Sequence, residues 1–444
     1  MLNTIKNSSK YLGILSVILM LSACGNSGNT GDNNIDTGAD QLISAQVIDN
    51  VPPEIMLKII KANIDQNATN AFGYRAVKII YNTKGQNNED IKASGLLIVP
   101  SVSAEYKAYL ASIGKSFSVS MVCDNHGTIF KDDEAPTNVE VMNGLPDSKI
   151  GIVISGYAGF AAILPDYIGY GESNDIAHPY IMKEASAQAS LDMIKASMKY
   201  MDNNDITLNY QLYISGYSEG GYTAMALAEK VENSFSDRVN LMGVAPMAGP
   251  YNVEALGDIE IDADHIMIYP AFLAYLSDSY SYYYDDLNLE NIVNTTDTNM
   301  FHSLFDGTKS GIEIQMSLGL TTNYGFASYP ASTLFQESFI NDYKNNVNSS
   351  IRVRFQENAT DNWIPHSKFN LIQCVDDEII PFSQSKDTYA KFLKNGVDVT
   401  LTPIPTELIP PASKEAPFVH ARCASVAYGA AITWFNAIRL GEIK

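Results

Sequence analysis

The sequence predicts an α/β fold: a mostly parallel central sheet, helices on both faces, and a helical cap inserted before the last strands. Three observations carry that expectation. Apolar runs of strand length alternate with helical runs along most of the chain, as in strands joined by crossover helices. Between residues 251 and 365 the alternation gives way to a Tyr-rich segment too long for a structureless connection. Finally, Gly216-Tyr-Ser-Glu-Gly-Gly221 sits between a strand-like run and a helix-like run.

The chain opens with Lys6 and Lys10, then an apolar run from Tyr11 to Leu21 that is too short to cross a bilayer as a mature helix. Leu21-Ser-Ala-Cys24 follows, in the form of a bacterial lipoprotein cleavage site. Residues 1–23 are therefore expected to be a signal peptide, with Cys24 lipidated as the new N-terminus. A plain cleaved signal with an incidental cysteine is the alternative. Residues 25–40 are mainly Gly, Asn, Asp, Ser and Thr, which cannot bury apolar surface. Residues 24–50 are expected to be lipid anchor and flexible tether. The expected place is the bacterial cell envelope, with attachment through the lipid on Cys24. Gly25, not an aspartate, points to the outer membrane by analogy with enteric sorting.

The formal net charge is −21, from 50 acidic and 29 basic residues. Loss of residues 1–23 removes two lysines and no acid, which takes it to −23. That balance argues against nucleic acid as a partner and against charge-driven binding to anionic membrane. No obligate protein partner is evident in the sequence. With Cys24 lipidated, Cys123, Cys374 and Cys423 remain, so at most one bridge can form within the chain. Their spacing shows no metal pattern.

The elements follow in order. Residues 51–250 are read as the first part of the core. Pro52 to Ile64 reads as an amphipathic helix. Gly73–Tyr81 and Ile91–Val99 read as a hairpin around Gly85-Gln-Asn-Asn-Glu-Asp. Phe117–Cys123 and Gly159–Pro165 are further strands, and Tyr180–Met201 is helical. Tyr210–Ser215 is the strand before the glycine turn, Tyr222–Val231 the helix after it, and Leu241–Met247 another strand. The cap, residues 251–365, carries Tyr269, Tyr275, Tyr280, Tyr282, Tyr283 and Tyr284 with Met267, Phe272, Leu273 and Phe326. Residues 366–444 complete the core through strands Lys368–Cys374 and Val397–Pro403 and a closing helix, Ala424–Ile438.

The glycine turn matches G-x-S-x-G at Gly216, Ser218 and Gly220. A strand-to-helix turn of this kind strains the serine backbone and exposes its hydroxyl above the sheet edge. A serine hydroxyl needs a base to take its proton and an acid to hold that base. On such a turn the chain order is serine, acid, histidine. His265, His302 and His366 lie in the body or cap, whereas His420 stands after the last strand, where the base loop belongs. The acid should follow Lys368–Cys374, where Asp376-Asp-Glu378 stands. Its offset to Pro381 favours Asp377, with Asp376 as the alternative. Cys374 and Cys423 lie near these positions, so a Cys374–Cys423 bridge and buried free thiols both fit. Two backbone donors are needed for a tetrahedral oxyanion. The N–H of Glu219 is one, and the N–H of His126 or Gly127, in Asn125-His-Gly-Thr128, is the other. Asp166, Ser173 and His178 read as structural residues of a loop beside the site.

Taken together, the blocks resemble the secretory-lipase branch of the α/β-hydrolases, similar to fungal lipases and their bacterial relatives. They are Ala93-Ser-Gly-Leu-Leu-Ile-Val-Pro100, His126-Gly-Thr128, Leu164-Pro-Asp-Tyr-Ile-Gly-Tyr-Gly-Glu-Ser173, Gly216-Tyr-Ser-Glu-Gly-Gly221, Trp363-Ile-Pro365, Asp377-Glu-Ile-Ile-Pro381 and His420. The resemblance implies the α/β-hydrolase fold, carboxylic-ester or lipid substrates, no metal and no cofactor. It also implies a triad of Ser218, Asp377 and His420. It is not carried into the cap, and Glu219 places a carboxylate beside the serine. A serine peptidase acting on short peptides is the alternative enzyme, and a surface-binding lipoprotein without turnover is the alternative outside enzymes.

Overall fold

The strand-like runs assemble into a nine-stranded sheet that is parallel over most of its width. The computed structural model describes residues 41–63, 66–138, 150–320, 329–413 and 416–443. The expected signal peptide and Cys24 lie outside the described residues, as does Phe326. In chain order the strands are β1 (Leu42–Val51), β2 (Gly73–Lys84), β3 (Asp90–Ser101), β4 (Val119–Asn125), β5 (Ala161–Pro165), β6 (Leu208–Tyr217), β7 (Asn240–Met247), β8 (Ile266–Met267), β9 (Tyr329–Pro330), β10 (Phe369–Cys374) and β11 (Val399–Ile404). Their spatial order is β1-β2-β3-β5-β4-β6-β7-β10-β11, with β8 and β9 forming a separate ribbon. The pairs β1–β2, β2–β3 and β3–β5 are antiparallel. Every pair from β5 to β11 is parallel.

One expectation is corrected here. The tether does not run to residue 50, because Leu42–Val51 pairs with β2 as an edge strand. Eight of its ten residues pair with β2, yet only Val51 is buried. Backbone hydrogen bonds place the strand, and it lacks the buried alternation that sequence reading relies on.

Helices cover both faces of the sheet. α1 (Pro53–Asn63) is followed by α2 (Ala104–Ser112), α3 (Lys183–Asn203) and α4 (Glu219–Ser234). α3 and α4 pack Leu191, Ile194, Leu227 and Val231 on one face. α1 packs Met56 and Ile60 on the other, joined there by the last helix. β4, β5 and β10 are buried along their whole length, as strands covered on both faces are.

The cap includes α5 (Val253–Glu260), α6 (Pro270–Tyr283), α7 (Gly311–Ser317), α8 (Glu337–Asn345) and α9 (Ser350–Glu357). It has its own apolar core, which reaches the main domain through Phe130, Tyr180 and Tyr222. The cap tyrosines divide. Tyr275, Tyr280 and Tyr283 are buried in that core, Tyr282 is exposed, and Tyr269 lines the cavity described below. The chain returns to the sheet for β10, α10 (Ser383–Lys394), β11 and α11 (Val419–Arg439). Parallel pairing brings the carboxyl ends of β4, β6, β7 and β10 to one edge, where open α/β sheets place their ligands.

Candidate active site

Ser218 follows β6 directly and has φ 62° and ψ −122°, a left-handed conformation that a side chain rarely adopts. The surroundings hold it there. Its N–H donates to the Met247 carbonyl at 2.9 Å, and α4 begins at the next residue. A Cβ on Gly216 would overlap the Gly220 carbonyl, and one on Gly220 would overlap the Asn125 carbonyl. Glycine is what lets β4, β6 and α4 approach this closely.

His420 stands in the first turn of α11. Its Nε2 lies 2.9 Å from Ser218 Oγ and its Nδ1 lies 2.8 Å from Asp377 Oδ2. Asp377 is buried, and its Oδ1 accepts the N–H groups of Ile379 at 3.1 Å and Ile380 at 2.9 Å. The carboxylate therefore accepts a hydrogen bond from Nδ1–H and leaves the Nε2 lone pair for the serine hydroxyl. Asp376 points elsewhere: it is exposed and bonded to the Thr406 hydroxyl. The ambiguity between the two acids resolves in favour of Asp377 contacting the histidine.

The residues expected to supply backbone donors adjoin Ser218. Glu219 is the first residue of α4, so its N–H has no intrahelical acceptor. A Cβ built on Gly127 would lie 3.6 Å from Ser218 Cβ and 3.1 Å from the Tyr217 carbonyl, so the loop after β4 packs against the serine turn. The His126 ring stacks on Tyr167 at 4.1 Å, and its two nitrogens face the carbonyls of Gly127 at 2.8 Å and Asp166 at 3.2 Å. That side chain ties the loop down, and what the loop offers Ser218 is backbone.

Several contacts had no signal in the sequence. Glu219 is buried and its Oε1 lies 2.7 Å from His178 Nε2, while His178 Nδ1 lies 2.7 Å from the Ile168 carbonyl. The Tyr217 hydroxyl donates to the His420 carbonyl at 2.7 Å. Glu378 accepts the N–H groups of Val419 at 2.6 Å and His420 at 3.2 Å. Of the two readings the sequence leaves open for Cys374 and Cys423, the disulfide is the one formed, and Cys123 is a buried free thiol whose pKa burial pushes up.

The loop beside the site is structural, as expected. Asp166 is buried and bonded to the Ser94 hydroxyl at 2.5 Å and the Thr137 N–H at 2.9 Å, and burial raises its pKa. Ser173 donates to the Tyr170 carbonyl at 3.1 Å.

A cavity opens at Ser218 beneath the cap. Pro250, Val253, Leu256, Tyr269, Phe272, Leu273 and Leu276 give it apolar walls, with Glu219, Glu260, His265 and Glu378 as polar points. A second cavity shares Val253, Leu256, Glu260, Leu273 and Leu276 with it as lining and is lined further by Ile292, Phe335, Phe339 and Phe355. Among the described residues no cluster of side chains could hold a metal, and no helix is long and apolar enough to cross a membrane.

Known proteins share this architecture. A protein of Legionella pneumophila described as a hydrolase superposes with a TM-score of 0.73 at 19% identity, covering 91% of this chain and 100% of that one. The rice cell wall degrading esterase LipA from Xanthomonas oryzae gives 0.72 at 20% identity, covering 90% and 98%. Candida antarctica lipase A in its closed state gives 0.59 at 14% identity, covering 91% and 83%. At these identities the likeness speaks for the fold, which is that of the α/β-hydrolases. No protein of curated function matches the sequence. A family profile described as secretory lipase matches residues 149–442, which takes in Ser218, the cap, Asp377 and His420, and the chain belongs to that family.

Proposed function

We propose that this ester hydrolase cleaves carboxylic esters of apolar acyl groups through a covalent acyl-enzyme on Ser218. The observation that carries the reading is the continuous relay Ser218 Oγ, His420 Nε2, His420 Nδ1, Asp377 Oδ2, with links of 2.9 and 2.8 Å at the mouth of the apolar cavity. Ser218 Oγ attacks the ester carbonyl while His420 Nε2 takes its proton, and Asp377 stabilises the imidazolium that forms. The oxyanion is held by the N–H of Glu219 and a second N–H from His126 or Gly127, a donor whose loss costs about 10²–10³ in turnover in a comparable enzyme. His420 then gives its proton to the leaving alcohol, and a water deprotonated by His420 releases the acid. The apolar walls of the cavity at Ser218 favour an apolar acyl chain, and the cap over it excludes bulk water.

A fluorophosphonate probe and a panel of esters graded by acyl length test this reading. Stoichiometric labelling of Ser218, turnover of esters over matched peptide amides, and loss of both in Ser218→Ala are expected. Labelling of another serine, or esterase turnover retained by folded Ser218→Ala, overturns it. Preferential cleavage of the amides would make the protein a peptidase instead.

The attachment is a separate proposal: Cys24 carries lipid and holds the protein at the bacterial envelope, at the outer membrane. The Leu-Ser-Ala-Cys24 sequence after a short apolar run supports it. Mass spectrometry of the mature N-terminus tests it, and an unmodified N-terminus at another residue refutes it.

A further inference from the structure

The contacts around His420 go beyond the relay. Its ring is held by Asp377 and Ser218, but its main chain is held as well, and by different groups. The main-chain N–H donates to Glu378 Oε2 at 3.2 Å, and the N–H before it, on Val419, donates to Glu378 Oε1 at 2.6 Å. The main-chain carbonyl accepts the Tyr217 hydroxyl at 2.7 Å. Both partners come from segments that already carry a member of the relay. Glu378 follows Asp377 in sequence, and Tyr217 precedes Ser218.

α11 needs such help at its start. Its N-cap is Phe418, which has no side chain able to accept a hydrogen bond, so the first N–H groups of the helix lack a local partner. A carboxylate brought in from another loop satisfies two of them and places negative charge at the helix N-terminus, where the helix dipole favours it. The Tyr217 ring also lies 5.0 Å from the His420 ring, so that side chain braces the imidazole as well as its backbone.

We infer that Glu378 and Tyr217 are positioning residues that clamp the main chain of His420, so that its ring meets Ser218 and Asp377 in register. The inference rests on the acyl-enzyme reading above. Glu378 has a dual environment, since it also lines the cavity, and the experiment must separate holding His420 from touching substrate.

Three variants do this: Glu378→Gln, which keeps one accepting oxygen, Glu378→Leu, which keeps none, and Tyr217→Phe, which loses only the hydroxyl. Each is measured below its own melting temperature for kcat, KM and the rate of fluorophosphonate labelling. Glu378→Leu is expected to lower kcat and the labelling rate by about tenfold to a hundredfold, the size of a lost hydrogen bond to a charged group. KM should stay within about threefold, since substrate binding is not what the clamp supplies. Glu378→Gln should fall between Glu378→Leu and the wild type. Tyr217→Phe should lower kcat and labelling by about fivefold, in keeping with a neutral hydrogen bond. Wild-type kcat and labelling in folded Glu378→Leu and Tyr217→Phe overturn the inference. A change in KM alone overturns it too, because Glu378 is then a wall of the substrate cavity. Should Glu378→Leu not fold, Tyr217→Phe decides. If the wild type itself is not labelled at Ser218, the acyl-enzyme reading fails. If it is labelled and the variants react at the same rate, only the clamp fails.

Discussion

Cys374 and Cys423 join the two segments that carry Asp377 and His420. Cys374 ends β10, three residues before Asp377, and Cys423 lies one turn into α11, three residues after His420. The bridge crosses a sequence separation of 49 residues and is buried. Closing a loop of that length removes unfolded-chain entropy worth about 4 kcal/mol in the chain-entropy account. The double variant Cys374→Ala/Cys423→Ala should therefore lose about 3–4 kcal/mol of unfolding free energy by denaturant titration. It should keep much of its turnover at low temperature, because Asp377, Glu378 and Tyr217 still hold His420. Equal stability of the variant and the wild type under oxidising conditions would sink the prediction.

Glu219 is a carboxylate beside the serine, yet its bonding makes it a poor source of net charge. His178 Nδ1 faces the Ile168 carbonyl at 2.7 Å, and a carbonyl can only accept, so Nδ1 carries a proton. The 2.7 Å contact between Nε2 and Glu219 Oε1 then needs one further proton. Whichever atom holds it, the pair is neutral overall. Glu219→Gln can donate from its amide to Nε2, so kcat should stay within about fivefold of wild type. Glu219→Leu strands Nε2 in a buried site and should cost about 1–3 kcal/mol of stability. A loss of activity in Glu219→Gln as large as that in Glu219→Leu would show that the charge itself is needed.

The cap carries a pH-dependent contact of its own. The hydrogen bond that His302 Nδ1 donates to the Asp278 carboxylate at 2.6 Å raises the His302 pKa above 6.5. The folded state then binds a proton more tightly than the unfolded state does. Its contribution to stability is fully present below 6.5 and is lost as pH rises through the raised folded value. Burial raises the Asp278 pKa, so wild type and His302→Phe, compared by thermal unfolding, should differ most just below pH 6.5, where Asp278 is still ionised, and converge on the alkaline side. A gap that widens as pH rises above 6.5 would contradict the sign.

Much of this molecule is legible in the sequence where a residue's neighbours in the chain determine its role. Gly216, Ser218 and Gly220 announce the serine turn because strand, turn and helix are local, and the alternation of apolar runs gives β2 to β7, β10 and β11. His420 is legible through chain order. What stays hidden depends on residues that meet only in the fold. β1 carries no buried stripe, so nothing in Leu42–Val51 marks a strand apart from its pairing with β2. The Glu219–His178 pair spans 41 residues and the Tyr217–His420 bond spans 203, distances at which no periodicity speaks. Glu378 was visible as a third carboxylate in a row, but its partner is the backbone of α11, which no side-chain pattern encodes.

The acid offers the sharpest test of the proposed relay, because its neighbour is a built-in control. Asp377 is buried, accepts two N–H groups on Oδ1 and meets His420 Nδ1 on Oδ2, whereas Asp376 is exposed and bonded to Thr406. Asp377→Asn keeps the shape but can place an amide N–H against Nδ1, which favours the tautomer with its proton on Nε2 and takes the lone pair away from Ser218. Turnover should fall by about 10⁴-fold, as the same change does in a serine protease. Asp376→Asn removes a solvated charge and should change kcat by less than about threefold, the usual range for an exposed site. Measuring kcat for both at matched folded fraction decides the matter. A severe loss in Asp376→Asn with a mild one in Asp377→Asn would reverse the roles. Mild losses in both would mean that the 2.8 Å contact between Asp377 and His420 is not what makes the histidine a base.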